Sequence, residues 1–165
     1  SLYSQSWISS NSIKSSITLI ELNSVINNDG EVFSFGHFEG VLTSSDGKQI
    51  ESYGARDYFL IKFFENGKVD WMYNIGGSQN DFITGDIAIN QSGDIFITGA
   101  FQGYLKYTST DSIPSSGSFD TFIIKINNEG EIIWTRNIGR GFSFQMPTTI
   151  DIIDSGEILL SLIHI

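Results

Sequence analysis

The sequence has no cysteine, two prolines, two histidines and only 9 Lys and Arg against 19 Asp and Glu, for a net charge of −10 over 165 residues. The lack of cysteine excludes disulfides, thiolate metal sites and cysteine nucleophiles. The shortage of cationic side chains disfavours DNA, RNA and anionic lipid as main partners, because binding a polyanion requires Lys and Arg to displace its counterions. The longest strongly apolar run is Ile158 to Ile163, far short of the roughly 20 residues that span a bilayer. No membrane span is therefore expected. With hydrophobic residues at 40% and aromatics at 13%, the chain can bury enough apolar surface to offset its ordering entropy. It begins Ser1-Leu2-Tyr3, without methionine or a basic leader, which reads as a processed form or an excised piece.

What is present is a repeat. Asp57-Tyr-Phe-Leu-Ile-Lys62 leads through Asn66-Gly67 to Trp71 and Asn74-Ile-Gly76, and Asp120-Thr-Phe-Ile-Ile-Lys125 leads through Glu129-Gly130 to Trp134 and Asn137-Ile-Gly139, at an offset of 63. Ile26-Asn27 to Gly40 returns as Ile89-Asn90 to Gly103 at the same offset, and again in weaker form from Ile152 to Leu159. Several anchors at one period dictate a repeat architecture.

Each unit reads as four short strands A to D. Strand A spans 83–89, the turn Asn90-Gln-Ser-Gly93 follows, and strand B spans 94–101. A long polar connection, 102–118, precedes strands C (119–126) and D (131–138), which close over Asn127-Asn-Glu-Gly130. No 3.6-residue period with helix caps persists. The expected class is all-β, with four-stranded antiparallel blades of a β-propeller at a period of about 63. Strand C is apolar on both faces, Phe59, Ile61 and Phe63 on one and Leu60 and Phe64 on the other, as a strand sandwiched between neighbouring blades requires. The expected division is an orphan outer strand in 1–15, blades in 16–76 and 77–139, and the first half of a further blade in 140–165.

Asp-x-Phe-x-Ile-Lys, the Gly-containing turn, Trp, Asn74 to Gly77, and Ile-Ala-Ile-Asn-x-x-Gly-Asp-Ile-Phe-Ile-Thr-Gly from Ile87 to Gly99 resemble the SBBP-type bacterial β-propeller repeat across roughly residues 24 to 162. The resemblance implies a many-bladed propeller from an exported or surface-attached bacterial protein, without shared catalytic residues. The quinone-type propeller repeat shares the Gly67 to Trp71 spacing, but has an Asp where this chain has Phe63 and Ile126. Sialidase-type Asp boxes space Trp differently from Gly.

No motif supports catalysis. Lys62 and Lys125, and Asp57 and Asp120, read as repeated ion pairs or turn caps, and Trp71 and Trp134 as packing residues rather than a sugar-stacking platform. The Gly-containing turns lack the alternating acidic ligands and downstream Glu of a calcium loop, so their Gly supplies φ > 0 and their Asn or Asp bonds the turn backbone. His37 and His164 lie 127 residues apart, close to twice the repeat, which places them at equivalent blade positions rather than in one metal site. Neither a Gly-x-Ser-x-Gly elbow nor a cofactor motif occurs.

Alternating strand directions put the connections B to C and D to A on one face. These differ between repeats and carry Asp46, Tyr53, Arg56, Asn80, Asp81, Tyr104, Tyr107, Asp111, Arg140 and Phe142. Aromatic, amide and charged groups on variable loops over a rigid scaffold suit a glycan or protein surface. The sequence thus points to a non-catalytic recognition or scaffolding module, secreted or at the cell surface, with no cofactor. The alternatives are a fragment of a propeller enzyme, quinone-dependent or polysaccharide-cleaving, with its active site in other blades, or a structural subunit of a surface fibre. Because 165/63 is about 2.6, the expected partners also include further blades or other subunits, which would cover the apolar run at Ile158 to Ile163.

Overall fold

The computed structural model describes residues 13–79, 84–116, 118–139, 144–153 and 155–164. The orphan strand expected before residue 12 lies outside them, as do Asn80, Asp81, Arg140 and Phe142. The described residues are all-β and contain no helix. Accordingly, no helix among them is long and apolar enough to cross a membrane.

The strands are β1 (Ile13–Ser15), β2 (Thr18–Ile26), β3 (Val32–Glu39), β4 (Val41–Ser44), β5 (Gln49–Glu51), β6 (Asp57–Phe63), β7 (Val69–Ile75), β8 (Gly85–Ile89), β9 (Ile95–Phe101), β10 (Tyr104–Lys106), β11 (Ser112–Pro114), β12 (Asp120–Ile126), β13 (Ile132–Ile138), β14 (Gln145–Ile152) and β15 (Ile158–His164). They form two four-stranded antiparallel sheets, β2-β3-β6-β7 and β8-β9-β12-β13, and a two-stranded sheet β14-β15. Two small sheets, β1-β4-β5 and β10-β11, complete the set. Expected strands A to D match β8, β9, β12 and β13 to within two residues at every boundary.

The hairpins close as their turn residues dictate. Asn27 Oδ1 accepts from the backbone N–H groups of Asp29 (3.0 Å) and Glu31 (2.9 Å), and Asn90 Oδ1 accepts from Ser92 (3.0 Å) and Asp94 (2.8 Å). The following Gly30 and Gly93 take φ of 77° and 83°, where a Cβ would be strained.

The apolar faces then stack. Phe33, Phe35, Tyr58, Leu60 and Ile75 of the first sheet pack on Ile95, Ile97, Phe122, Ile124 and Ile126 of the second. Ala88, Phe96 and Ile123 on the other face of the second sheet meet Ile150 of the third. Phe38, Phe59, Ile61, Phe63 and Val69 cover the outer face of the first sheet with Leu42. Phe64 departs from the expected alternation: β6 ends at Phe63, and Phe64 is exposed at the start of the turn.

The first strands of the three sheets are tied together by one carboxylate. Asp86 on β8 accepts from Asn23 Nδ2 on β2 (2.7 Å) and from the Ile150 N–H on β14 (3.1 Å). Thr84 Oγ1 also donates to the carbonyl of Pro147. Register corrects the reading of the histidines. His37 pairs with Ile20 on β2, and the corresponding pair on β14-β15 is Met146 with Ile163, so Ile163 is the counterpart of His37 and His164 falls one residue later.

Candidate binding face

Asp57 and Asp120 open the third strand of each four-stranded sheet, fully buried. Asp57 Oδ2 accepts from the Tyr53 N–H (2.6 Å), and Asp120 Oδ2 accepts from the Ser116 N–H (2.5 Å), Ser116 Oγ (2.9 Å) and Asn137 Nδ2 (2.8 Å). Each carboxylate thus ends the long connection before it. Desolvation raises the Asp57 carboxyl above its ordinary value, against opposing hydrogen bonds from Tyr53, Asn74 and Gly77. A Cβ on Gly76 would overlap the Asp57 side chain, and one on Gly139 the Asp120 side chain. Gly76→Ala should therefore lower unfolding free energy by about 2 kcal/mol, the usual cost of forcing an extra methyl into a packed site, read from the urea midpoint. An unchanged midpoint would show that the Asp57 staple yields freely.

Lys62 and Lys125 form the expected repeated ion pairs. Lys62 Nζ meets Glu31 at 2.9 Å and Asp70 at 3.3 Å, and Lys125 Nζ meets Asp94 at 2.7 Å. Burial pushes the Glu31 carboxyl up, but hydrogen bonds from Lys62, Asn27 and Asn128 outweigh it and the net shift is downward. Asp94 behaves alike, lowered by Lys125 and Asn90 against its burial. The repeated charged groups are thus engaged in folding. Among the described residues no cluster of three or more His, Asp or Glu could hold a metal ion.

The connections between second and third strands, expected as long loops, each fold into a small hairpin. Leu42 and Leu105 point into the core while their neighbours stay at the surface. Strands of three or four residues carry too short an alternation to register as strands in the sequence. In the first hairpin, Asp46 is a turn residue: Ser44 Oγ donates to it at 2.5 Å and Lys48 Nζ lies at 3.1 Å. Ser44 above all, with Lys48, holds its carboxyl below the ordinary value. Asp111 plays the same part in the second hairpin, accepting from Thr108 Oγ1 at 2.8 Å and Thr110 Oγ1 at 3.2 Å. Arg56 is half-buried, and its Nε has no partner among the described residues. It adds its charge to the surroundings of His37.

The second hairpin crosses onto the end of the first sheet. Gly76 N–H donates to the Lys106 carbonyl (3.0 Å) and Lys106 N–H to the Gly76 carbonyl (2.8 Å). Such close approach needs glycine: a Cβ on Gly54 would lie 2.6 Å from the Gly77 carbonyl oxygen, and one on Gly77 would collide with the Tyr104 carbonyl. Tyr104 and Lys106 lie two apart on β10 and share its outward face, opposite Leu105 in the core. Lys106 Nζ stands 4.4 Å from the centre of the Tyr53 ring. Tyr53 is 44% exposed and Tyr104 67%. The crossing therefore brings exposed Tyr53 and Tyr104, from two repeats, together with the half-buried Lys106, flanked across the hairpin by Ser112 and Pro114.

Where β10 ends, a groove of about 360 Å³ opens between the outer strands β7 and β13. It is lined by Tyr73, Tyr107, Thr108, Asp111, Glu131 and Thr135. Tyr107 and Asp111 are thus brought together here, while Tyr53 and Tyr104 belong to the exposed surface and Asp46 to neither. Lys106, Glu131 and Thr135 were missed by sequence reasoning. Lys106 alone had a signal, the alternation Tyr104-Leu-Lys106.

The tryptophans are packing residues. Trp71 sits 5.9 Å from Phe33 and 5.3 Å from Tyr73, centre to centre, and Trp134 lies 6.1 Å from Phe96. Comparison with protein-family models and with curated proteins finds no match to this chain.

Proposed function

We propose that the chain is a run of β-propeller blades of the SBBP-like kind, serving as a non-catalytic recognition module of an exported or cell-surface protein that binds a glycan through the long-connection face. Three features support the propeller reading: four-stranded antiparallel sheets at a fixed period, first strands joined side by side through Asp86, and apolar faces stacked sheet on sheet. The observation that carries the binding reading is the surface of exposed Tyr53 and Tyr104 with the half-buried Lys106. Aromatic faces offer apolar contact to sugar C–H groups, and the ammonium and neighbouring Ser112 offer hydrogen-bond donors. The repeated Asp and Lys residues are engaged in the scaffold, whereas these side chains project from it.

A glycan array probed with the full chain tests this. A defined set of glycans should bind, with affinity falling at least tenfold, about 1.4 kcal/mol, for Tyr53→Ala or Tyr104→Ala. Tyr107→Ala should weaken only ligands long enough to enter the groove. Array binding that both exposed-tyrosine variants retain in full, or no binding at all, would sink the proposal.

A further inference from the structure

The two small hairpins carry opposite charges at equivalent positions. Lys48 of the first is replaced by Asp111 in the second, 63 residues on, and Asp46 by Ser109. Lys68, just before β7, is replaced by Glu131, just before β13. In the first repeat the lysine fills its own site. Lys48 Nζ donates to the Val69 carbonyl on β7 and pairs with Asp46 at 3.1 Å, and Val69 beneath it is only 2% exposed.

The second repeat lacks this plug. Ile132, the counterpart of Val69, is half-buried and lines the groove between β7 and β13. At the lysine's position stands the carboxylate of Asp111, and Glu131 adds a second where the turn enters β13. The hydrogen-bond partners of both acids are neutral. Thr108 and Thr110 donate to Asp111 Oδ2, and Asn127 Nδ2 donates to Glu131 Oε2 at 2.9 Å, which leaves one oxygen of each carboxylate for a ligand. None of the described lining residues is cationic. Lys106 and Arg136, adjacent in the chain to lining residues, are engaged elsewhere: Lys106 Nζ stands 4.4 Å from the Tyr53 ring, and Arg136 lies 5.5 Å from the Trp134 ring with Nη1 donating to the Thr135 carbonyl at 3.0 Å.

Charge and lining decide which occupant fits. The groove, of about 360 Å³, lies within the range of small-ligand sites, about 300–1,000 Å³. Two uncompensated carboxylates attract a cation, and their exposure spares it a full desolvation cost. Tyr73 and Tyr107 supply aromatic surface, which suits sugar C–H groups and a nearby ammonium. The groove also begins where β10 ends, so a chain lying on Tyr104 runs directly into it at Tyr107.

We infer that the groove takes a glycan unit bearing a free ammonium group, an amino sugar without its acetyl group. The ammonium seats beside Asp111 and the Ile132 carbonyl, as the ammonium of Lys48 seats on the Val69 carbonyl in the first repeat, and Glu131 adds to its attraction. The inference rests on the glycan reading above and names the class of sugar.

The test is a glycan array that presents amino-sugar glycans in pairs, free-amine and N-acetylated, to the full 165-residue chain, with titration of a chitosan tetramer and its fully N-acetylated form in solution. Free-amine members should bind at least tenfold more tightly than their acetylated partners. Asp111→Asn and Glu131→Gln, both at exposed positions, should each reduce that preference severalfold and together at least tenfold. Acetylated glycans should keep their affinity for these variants, because Tyr53 and Tyr104 are untouched. Asp111→Lys, which restores the first repeat's own cation, should abolish the preference. Acetylated glycans that bind as tightly as free amines would overturn the inference and leave the glycan reading standing, whereas no glycan binding at all would overturn both. A preference that survives all three variants would also overturn it. So would a tetralysine peptide that binds as tightly as the chitosan tetramer and is lost with the same variants, since the groove would then serve a protein lysine.

Discussion

Tyr58→Ala should lower the unfolding free energy by about 5 kcal/mol, and Tyr58→Phe by about 2 kcal/mol. Tyr58 is fully buried on β6, stacked 5.3 Å from Phe35 with an interplanar angle of 2°, and edge-on to Phe122 of the second sheet at 5.2 Å. Its hydroxyl accepts from the Ala100 N–H (2.8 Å) and lies 2.9 Å from both the Ala100 and Thr84 carbonyls, to one of which it donates. The ring therefore closes the core between two sheets, while the hydroxyl satisfies backbone groups of the second. Removing the ring opens a cavity worth about 3–5 kcal/mol for a buried aromatic. Removing only the hydroxyl strands the Ala100 N–H in an apolar site, at about 1–3 kcal/mol. Gly99, packed so close to the ring that a Cβ there would lie 2.5 Å from it, has no side chain to fill the gap. Urea unfolding of the two variants checks this, with Tyr107→Phe on the half-buried hairpin tip as a comparison. A Tyr58→Phe loss below about 0.5 kcal/mol would show that the hydroxyl does not join the sheets.

The second large effect is on acid stability. His37 is 0% exposed, with its ring 4.1 Å from that of Tyr58, and among the described residues neither ring nitrogen has a hydrogen-bond partner of good geometry. Burial, reinforced by the charge of Arg56 and opposed by the backbone at Asp57, lowers its pKa from 6.5 to about 3. The folded chain therefore holds the imidazole neutral over a range in which the unfolded chain protonates it. Stability is fully present above the unfolded value of about 6.5 and is lost as pH falls toward the folded value of about 3, by on the order of 5 kcal/mol in all. Asp57 acts in the opposite sense. Its raised carboxyl pKa means that the folded state takes up a proton before the unfolded one, which offsets part of the loss near pH 4.

His37→Leu isolates the histidine contribution. Between pH 7 and pH 4 its urea midpoint should fall by much less than that of the parent chain. At pH 7 the two should lie within about 1.5 kcal/mol of each other, since similar volume is conserved and a buried polar ring is removed. Parallel pH profiles for the two chains would show that His37 protonates without cost in the folded state.

Much of this fold was legible because its determinants are local. Asn27, Asn90 and Asn127 each cap a turn whose fourth residue is glycine, so hairpin positions could be read from four residues at a time. Phe59, Ile61 and Phe63 pack on one side of β6 and Leu60 on the other, and this two-faced burial was visible as an uninterrupted apolar run. Lys62 and Lys125 were readable as structural because they recur at the period, but the sequence grouped them with Asp57 and Asp120, whereas their partners are Glu31 and Asp94. The binding face was legible only in part. Tyr53 and Tyr104 were identified as exposed groups on variable connections, but Lys106, which completes their surface, was not. Its position follows from the bridge between Gly76 and Lys106, a contact 30 residues apart in the chain with no local pattern.

By itself the sequence determined the strand order, the turn chemistry and the 63-residue period, all of which depend on residues within a few positions of one another. The tertiary structure alone decided how identical positions diverge. His37 and Ala100 occupy the same site in successive repeats, yet one is a fully buried imidazole and the other the backbone partner of Tyr58. Lys62 is covered by the turn of the next sheet and is 5% exposed, whereas Lys125 is 23% exposed. A side chain's burial and hydrogen bonding are properties of the neighbours that the fold brings to it, so equal local sequence does not make equal environments.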